Sequence, residues 1–150
     1  MREEKIRAIA ICLCLNGERI LVAEGYDSKK GETFYRPLGG TIEFGERGEE
    51  TVAREFIEEI GAVLVDTCFL GMLENIFTYE GQRGHEIVLV YDGRLANASL
   101  YKQEVIQGDE MGTPFKAVWK SLGDFRQGNP PVYPDRLKEL LEKQQSEDLN

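Results

Sequence analysis

The sequence is poor in the residues on which thiol, disulfide and imidazole chemistry depend. Its 150 residues contain three cysteines and one histidine. The cysteines, Cys12, Cys14 and Cys68, are odd in number and show no zinc-like pairing, so reduced thiols are the simplest interpretation. A soft-metal site at Cys12 and Cys14 is the less favoured alternative. Because no Ser or Cys nucleophile motif accompanies His85, we interpret this residue as the end of a hairpin rather than a general base.

Long hydrophobic runs and an excess of positive charge are also missing. No apolar run approaches the ~18 residues of a membrane span, and the first residues show no signal-peptide cleavage site. We therefore expect a cytoplasmic protein with no membrane partner. The formal net charge of −9 argues against nonspecific binding to nucleic acid.

Length and composition are those of an ordinary globular protein. The chain is 41% hydrophobic and 30% charged, which favours neither disorder nor a membrane class. A chain of 150 residues predicts one domain over residues 1–150 that buries roughly two thirds of its unfolded surface.

Hydrophobic periodicity and turn signals predict an alternation of strands with two helices. The predicted elements are a strand over 6–15, a turn at 16–17, a strand over 19–24, a polar loop over 25–32, an extended run over 34–38, a helix over about 48–60, strands over 64–79, 86–95 and 115–120, and a helix opening at Pro134. Residues 97–114 are predicted to be loop, and the tail from Gln144 is predicted to fray. Such an order predicts a mixed sheet sandwiched between helices.

An acidic patch is predicted on the central helix, in the segment GGTIEFGERGEETVAREFIEEIGA of residues 39–62. At ~100° per residue, Glu55, Glu58 and Glu59 lie within an arc of about 100°, opposite an apolar stripe. Carboxylate oxygens are the ligands that Mg²⁺ and Mn²⁺ prefer. The alternative interpretation is a glutamate-rich amphipathic helix with a solvated surface.

The residues flanking the acidic patch fit the same interpretation. Arg54 lies eight residues after Glu46 and four before Glu58, a spacing suited to orienting carboxylates. Gly61 follows the last periodic residue and is expected to end the helix in the left-handed conformation. The pair Gly39-Gly40 is expected to form a tight turn with an exposed backbone carbonyl.

Taken together, these residues resemble the signature of the Nudix hydrolases, G-x5-E-x7-R-E-U-x-E-E-x-G-U with U an apolar residue. The resemblance implies an α/β (α+β) fold, a Nudix-like α/β/α sandwich with a mixed sheet between helices. It also implies a pyrophosphohydrolase that depends on Mg²⁺ or Mn²⁺. Such an enzyme cleaves a small-molecule nucleoside diphosphate linked to another moiety by water attack on phosphorus.

The resemblance assigns roles to residues of this chain. Arg54, Glu58 and Glu59 are the expected catalytic residues, and which glutamate acts as base stays open. The expected metal-binding set comprises Gly39, Gly40, Glu46, Glu55, Glu58 and Glu59, with Glu110 as a distal further ligand.

Residues outside the signature are candidates for substrate contacts. Arg36, together with Lys29, Lys30 and Arg7, could bind phosphate, and Tyr79 could stack on a base. The alternative interpretation is that these basic side chains are simply solvated and that Tyr79 serves packing. Two other functions stay open, namely a noncatalytic module of the same fold that binds a nucleotide or phosphosugar, and a structural cation-binding domain. The sequence does not specify the substrate or the oligomeric state.

Overall fold

The structure is a computed structural model that describes residues 4–128 and 131–149. Its strands are β1 (Ile6–Leu13), β2 (Leu15–Asn16), β3 (Arg19–Asp27), β4 (Glu32–Arg36), β5 (Leu38–Thr41), β6 (Leu64–Tyr79), β7 (Gln82–Leu95), β8 (Val105–Glu110) and β9 (Thr113–Ser121). Its α-helices are α1 (Gly48–Ile60), α2 (Leu122–Arg126) and α3 (Leu137–Leu149), and a 3-10 helix spans Ala98–Lys102. No helix in the described ranges is long and apolar enough to cross a membrane.

The strands form two sheets. The first has the order β5-β1-β7-β6 and is mixed, because β1 and β7 run parallel. The second has the order β2-β3-β9-β8, with β4 also paired to β3, and its pairings are antiparallel. The chain passes from one sheet to the other at Cys14, whose carbonyl accepts a hydrogen bond from the Leu21 amide at 3.0 Å. The predicted mixed α/β fold is confirmed, with the strands divided between two sheets.

Hydrophobic cores cover both faces of these sheets. Side chains alternate along β1, so Ala10 and Cys12 enter one core while Ile11 and Leu13 enter the other. Helix α1 closes the first core with two side chains, Val52 and Phe56. Helices α2 and α3 close the second core with Leu122, Phe125, Leu137 and Leu141. Each of these large side chains contributes roughly 1.5–3 kcal/mol on burial, so both helix layers are anchored by apolar packing.

Helix α1 has the predicted bounds. At its start Glu50 accepts a hydrogen bond from the Arg47 amide at 3.0 Å. At its end Gly61 adopts φ 65°, and its amide donates to the Ile57 carbonyl at 3.0 Å. The left-handed glycine thus stops the helix as expected, and Glu58 and Glu59 lie in its last turn.

Two loop predictions were wrong. Residues 97–114 contain the 3-10 helix, strand β8 and the start of β9. Strand β8 contains Gly108, a residue that is uncommon inside strands, so the sequence pattern did not indicate a strand there. A Cβ at this position would lie 2.3 Å from the Phe115 ring, so glycine is needed to make room for the ring. The predicted loop over 25–32 is too long, because β3 continues to Asp27 and β4 begins at Glu32, which leaves only residues 28–31 as the turn.

The prediction of a frayed tail from Gln144 was also wrong, since α3 continues to Leu149. Gln144 is only 2% exposed. Its amide nitrogen donates to the Leu13 carbonyl at 3.3 Å and to Asp92 Oδ1 at 2.7 Å. A polar side chain therefore fastens the last helix to β1 and β7, which hydrophobic periodicity does not reveal.

We expect Gln144→Ala to lower the free energy of unfolding by about 1–3 kcal/mol, because it removes the two hydrogen bonds that this buried side chain makes to β1 and β7. Glu142→Ala is the matched control, since Glu142 is exposed on the same helix. Urea denaturation of both variants tests the difference. Equal stability of the two variants would contradict the role of Gln144.

Candidate metal centre

The acidic face of α1 lies against β5, where two glycines make the close approach possible. Gly39 and Gly40 pair with Ile11 and Ala10 of β1. A Cβ on Gly40 would lie 2.5 Å from the Glu55 carboxyl carbon, and a Cβ on Gly39 would lie 2.0 Å from the Ala10 carbonyl oxygen. The predicted tight turn at this pair was wrong, because both glycines belong to a strand. Their lack of a side chain serves packing against α1 and β1.

Arg54 is the centre of the polar network on this face. Its Nε donates to Glu46 at 2.8 Å, and its Nη1 donates to Glu55 at 2.8 Å and Glu58 at 3.1 Å. Its Nη2 donates to Glu46 at 3.0 Å and to the Thr41 carbonyl at 3.1 Å. The hydrogen bonds and charges of Glu46 and then Glu55 raise the pKa of Arg54 further above its ordinary value. The structure thus brings Glu46, from the loop before α1, onto a guanidinium carried by the helix.

Both oxygens of Glu46 are engaged. Besides Arg54, Glu46 accepts from the Thr51 hydroxyl at 2.7 Å and from the Glu43 amide at 3.2 Å. The hydrogen bond from Arg54 is the main reason that the pKa of Glu46 falls to about 2. These contacts favour a role for Glu46 in orienting Arg54.

Glu59 is buried, with 5% of its surface exposed. Burial is the largest cause that raises its pKa to about 9, followed by its hydrogen bond with Glu55 and the charge of Glu55. Among the described residues, its Oε2 has no hydrogen-bond partner. A buried carboxyl oxygen without a partner is costly, and a positive ligand at this atom would offset that cost.

Arg36 and Glu110 reach the same region from the second sheet. They form an ion pair at 2.9 Å, with both side chains partly exposed. The charge of Arg36 lowers the pKa of Glu59, and that of Glu110 raises it, so both lie within electrostatic range of the buried carboxyl. An exposed pair of this kind stabilises the fold by only about 0–1 kcal/mol, so it can open at little cost.

Tyr79 and two of the predicted cations make other contacts. The Tyr79 hydroxyl donates to the Tyr26 carbonyl at 3.4 Å, and its ring packs edge-on against Phe34 at 5.8 Å. The backbone amides of Lys29 and Lys30 donate to Asp27 in the turn between β3 and β4. These contacts do not join any of the three to the acidic face of α1.

Three residues of the network escaped the sequence analysis, namely Thr41, Glu43 and Thr51. Glu43 lies 3.7 Å from Arg54 Nη1, and Thr51 is fully buried. Thr51 offered the one readable signal, because it is a polar residue among the buried positions of an amphipathic helix. Thr41 contributes a backbone carbonyl, which any residue could supply.

The donor set fits a hard divalent cation. It consists of carboxylate and backbone oxygens, it includes the unpartnered Glu59 oxygen, and Gly40 admits the Glu55 carboxyl close to the β5 backbone. Within residues 4–128 and 131–149, no three acidic, histidine or cysteine side chains already converge on one cation position. In this structure Arg54 supplies the positive charge between Glu55 and Glu58.

A family model of the NUDIX domain matches residues 4–142. Because the match spans most of the chain, the protein belongs to the Nudix family, and the predicted Nudix-type hydrolase is confirmed at that level.

Solved Nudix structures share the fold at low identity. A NUDIX hydrolase from Nitrosomonas europaea has a TM-score of 0.67 and 15% identity, over 95% of this chain and 90% of that one. A MutT NUDIX hydrolase from Burkholderia pseudomallei has a TM-score of 0.65 and 21% identity, over 93% and 98%. A protein described as an ADP compounds hydrolase has a TM-score of 0.64 and 19% identity, over 95% and 74%. At these identities the likeness shows the fold alone.

We expect Gly40→Ala to weaken Mg²⁺ binding and activity by at least about tenfold, because the new Cβ displaces the Glu55 carboxyl. Gly123→Ala is the control, since Gly123 is exposed on α2 and has no heavy atom closer than 3.4 Å to a built Cβ. Calorimetric Mg²⁺ titration of both variants is the measurement. Unchanged affinity in Gly40→Ala would contradict the close packing of Glu55.

Glu46 is expected to make stability depend on acid pH. Its folded pKa of about 2 lies below its ordinary value of 4.5, so the ionised group stabilises the fold above pH 4.5, and this contribution is lost as the pH falls toward about 2. Glu46→Gln should therefore be less stable than wild type at neutral pH, and the gap should narrow across that window. Urea denaturation of the metal-free proteins at several pH values measures the gap. A gap of constant size would contradict the pairing with Arg54.

Proposed function

We propose that this protein is a divalent-metal-dependent pyrophosphohydrolase that cleaves a nucleoside diphosphate linked to another moiety by attack of water on phosphorus. The observation that carries the proposal is the buried Glu59 carboxyl, which has an unpartnered oxygen and lies beside Glu55, whose carboxyl packs against Gly40. A solvated acidic face would not bury one of its carboxyl groups. Membership of the Nudix family supports the same class of reaction.

The cation would be Mg²⁺ or Mn²⁺, held by Glu55, Glu58 and Glu59 with a backbone carbonyl of Gly39 or Gly40. Glu110 stays a candidate further ligand because it lies within electrostatic range of Glu59. Glu46 stays a predicted ligand, although its contacts with Arg54 and Thr51 favour a positioning role. When bound, such cations neutralise phosphate oxygens and lower the pKa of a coordinated water.

The other steps of the proposed reaction depend on side chains that orient the carboxylates, accept a proton and bind phosphate. Arg54 fixes the rotamers of Glu55 and Glu58, and one of the three helix glutamates accepts a proton from the attacking water. Arg36 can exchange its exposed partner Glu110 for a phosphate oxygen, which suits it to contact substrate. Stacking of a base on Tyr79 stays a prediction.

We also propose that residues 1–150 form one domain and that the protein acts in the cytoplasm. Its three cysteines are free, with Cys12 and Cys14 buried, in keeping with a reducing compartment. A noncatalytic module remains the alternative, and the intact Arg54 network weighs against it, since binding alone needs no oriented base.

The test of this function is a panel of nucleoside diphosphate derivatives assayed with Mg²⁺ and with chelator in H₂¹⁸O. We expect a nucleoside monophosphate product, ¹⁸O in one phosphate product, and poor turnover of phosphomonoesters. Glu59→Gln and Glu58→Gln should lower kcat by about 10²-fold or more, because each removes a ligand or base. Mg²⁺ should also raise the wild-type Tm, since it binds the folded state.

Glu49→Gln is the matched control, because Glu49 is exposed in the first turn of the same helix. It should keep near wild-type kcat. Full activity in chelator, or in both Glu58 and Glu59 variants, would reject the metal-dependent mechanism. Saturable nucleotide binding without any cleavage would establish the noncatalytic module instead.

A further inference from the structure

Thr51 is a polar residue at a fully buried position of α1. Its amide donates to the Arg47 carbonyl at 2.9 Å, which is the first hydrogen bond of the helix, so Thr51 lies on backbone that is held in place. Packing alone does not explain a hydroxyl here, because an apolar side chain fills such a position without the cost of burying a polar group. The hydroxyl therefore requires a partner inside the protein.

Two acceptors lie within reach of the Thr51 hydroxyl. The Arg47 carbonyl, four residues earlier, is 3.2 Å away and is a common acceptor for a threonine inside a helix. Glu46 Oε1 is closer, at 2.7 Å, and belongs to a carboxylate. A hydroxyl has one proton to donate, and a charged acceptor at the shorter distance forms the stronger hydrogen bond. Thr51 therefore donates to Glu46, and burial strengthens this bond by excluding water.

The bond from Thr51 fixes one oxygen of Glu46. Oε1 also accepts from the Glu43 amide at 3.2 Å, so donors from the helix and from the preceding loop hold the same atom. The other oxygen, Oε2, is then directed at Arg54 Nε, which lies 2.8 Å away. Together with the contact from Nη2 to Oε1 at 3.0 Å, this makes a two-point contact that sets the plane of the Arg54 guanidinium.

The plane of the Arg54 guanidinium decides which other carboxylates it reaches. Its Nη1 donates to Glu55 at 2.8 Å and to Glu58 at 3.1 Å. Because the guanidinium is planar and rigid, a rotation of the Glu46 carboxylate would move Nη1 away from both. The Thr51 hydroxyl thus bears on two candidate cation ligands through Glu46 and Arg54.

We propose that Thr51 is a positioning residue, whose hydroxyl holds Glu46 in the orientation that aligns Arg54 with Glu55 and Glu58. This inference rests on the proposed function in one respect, since it takes those two glutamates to be cation ligands and candidate bases. The alternative is a threonine that only fills space in the core. The two roles differ in what loss of the hydroxyl, at nearly constant shape, does to the Arg54 side chain.

The alignment can be measured without metal or substrate. The Arg54 Nε–Hε group gives a ¹H–¹⁵N NMR signal, assigned by its loss in Arg54→Lys, and exchange of Hε with water reports how firmly Nε is bound to Glu46. We expect this exchange to accelerate about tenfold in Thr51→Val, which replaces the hydroxyl by a methyl group. In Thr51→Ser, which keeps the hydroxyl, it should change by less than about twofold.

Val52→Ala is the matched control, because Val52 is a fully buried neighbour in the core and its truncation removes packing without removing a hydrogen bond. Equal exchange in Thr51→Val and Thr51→Ser would overturn the proposal. An acceleration of the same size in Val52→Ala would also overturn it, since the effect would then come from packing. Thr51→Ala removes the hydroxyl without added bulk, and it keeps the test decisive if Thr51→Val fails to fold.

Kinetics test whether the alignment contributes to turnover. The substrate is the nucleoside diphosphate derivative that the wild type cleaves fastest, at saturating Mg²⁺. Thr51→Val should lower kcat by about fivefold to tenfold and change KM by less than about twofold, because it disturbs the candidate ligands and bases rather than the groups that contact phosphate. Thr51→Ser should stay within about twofold of wild-type kcat.

The same kcat in Thr51→Val and Thr51→Ser would overturn the proposed role in the reaction. If the wild type cleaves no nucleotide, the proposed function fails, while the Arg54 signal still decides whether Thr51 positions Arg54.

Discussion

The arrangement of the acidic face depends on the charge of Arg54. Like charges four residues apart destabilise a helix by roughly 0.2–0.5 kcal/mol per pair, and here carboxylates from α1 and from the preceding loop meet in one place. Arg54 donates to three of them, and a hydrogen bond to a charged group contributes about 1.5–3 kcal/mol. The fork of its guanidinium also fixes directions, which a lysine ammonium would not do. Arg54 therefore offsets the repulsion among the carboxylates and also sets their geometry.

Close packing gives this network its place on the sheet. Gly40 lets Glu55 approach the β5 backbone, and the Thr41 carbonyl then receives the far nitrogen of Arg54. Glu59 is left buried behind Glu55 with an oxygen that finds no partner among the described residues. An isolated globular fold gains nothing from such a group, since its desolvation lowers stability. The proposed cation would offset this cost, because a ligand that binds only the folded state raises its stability by mass action.

Local patterns in the sequence predicted the parts of the structure that local physics decides. The bounds of α1, the glycine that ends it and the paired strands β6 and β7 follow from periodicity and turn residues within one segment. Other features depend on contacts between residues far apart in the chain, which a single sequence does not reveal. They are the buried position of Gln144, the pairing of β8 and the place of Gly40 in a strand. The spacing of Arg54 from Glu46 and Glu58 was the exception. Glu46, Glu55 and Glu58 all contact the Arg54 guanidinium, and this requirement fixes their spacing in the sequence although Glu46 lies outside the helix.

The overall negative charge sets a condition on any anionic substrate. A formal charge of −9 repels phosphate at long range, but at physiological ionic strength screening confines that field to roughly 8 Å. The groups nearest the ligand therefore decide whether it binds. Arg36 lies beside the acidic centre, and its ion-pair partner Glu110 is exposed. With a cation at the carboxylates, Arg36 would add a second positive charge beside it, and the proposed anionic substrate would then meet local attraction in spite of the negative charge of the whole chain.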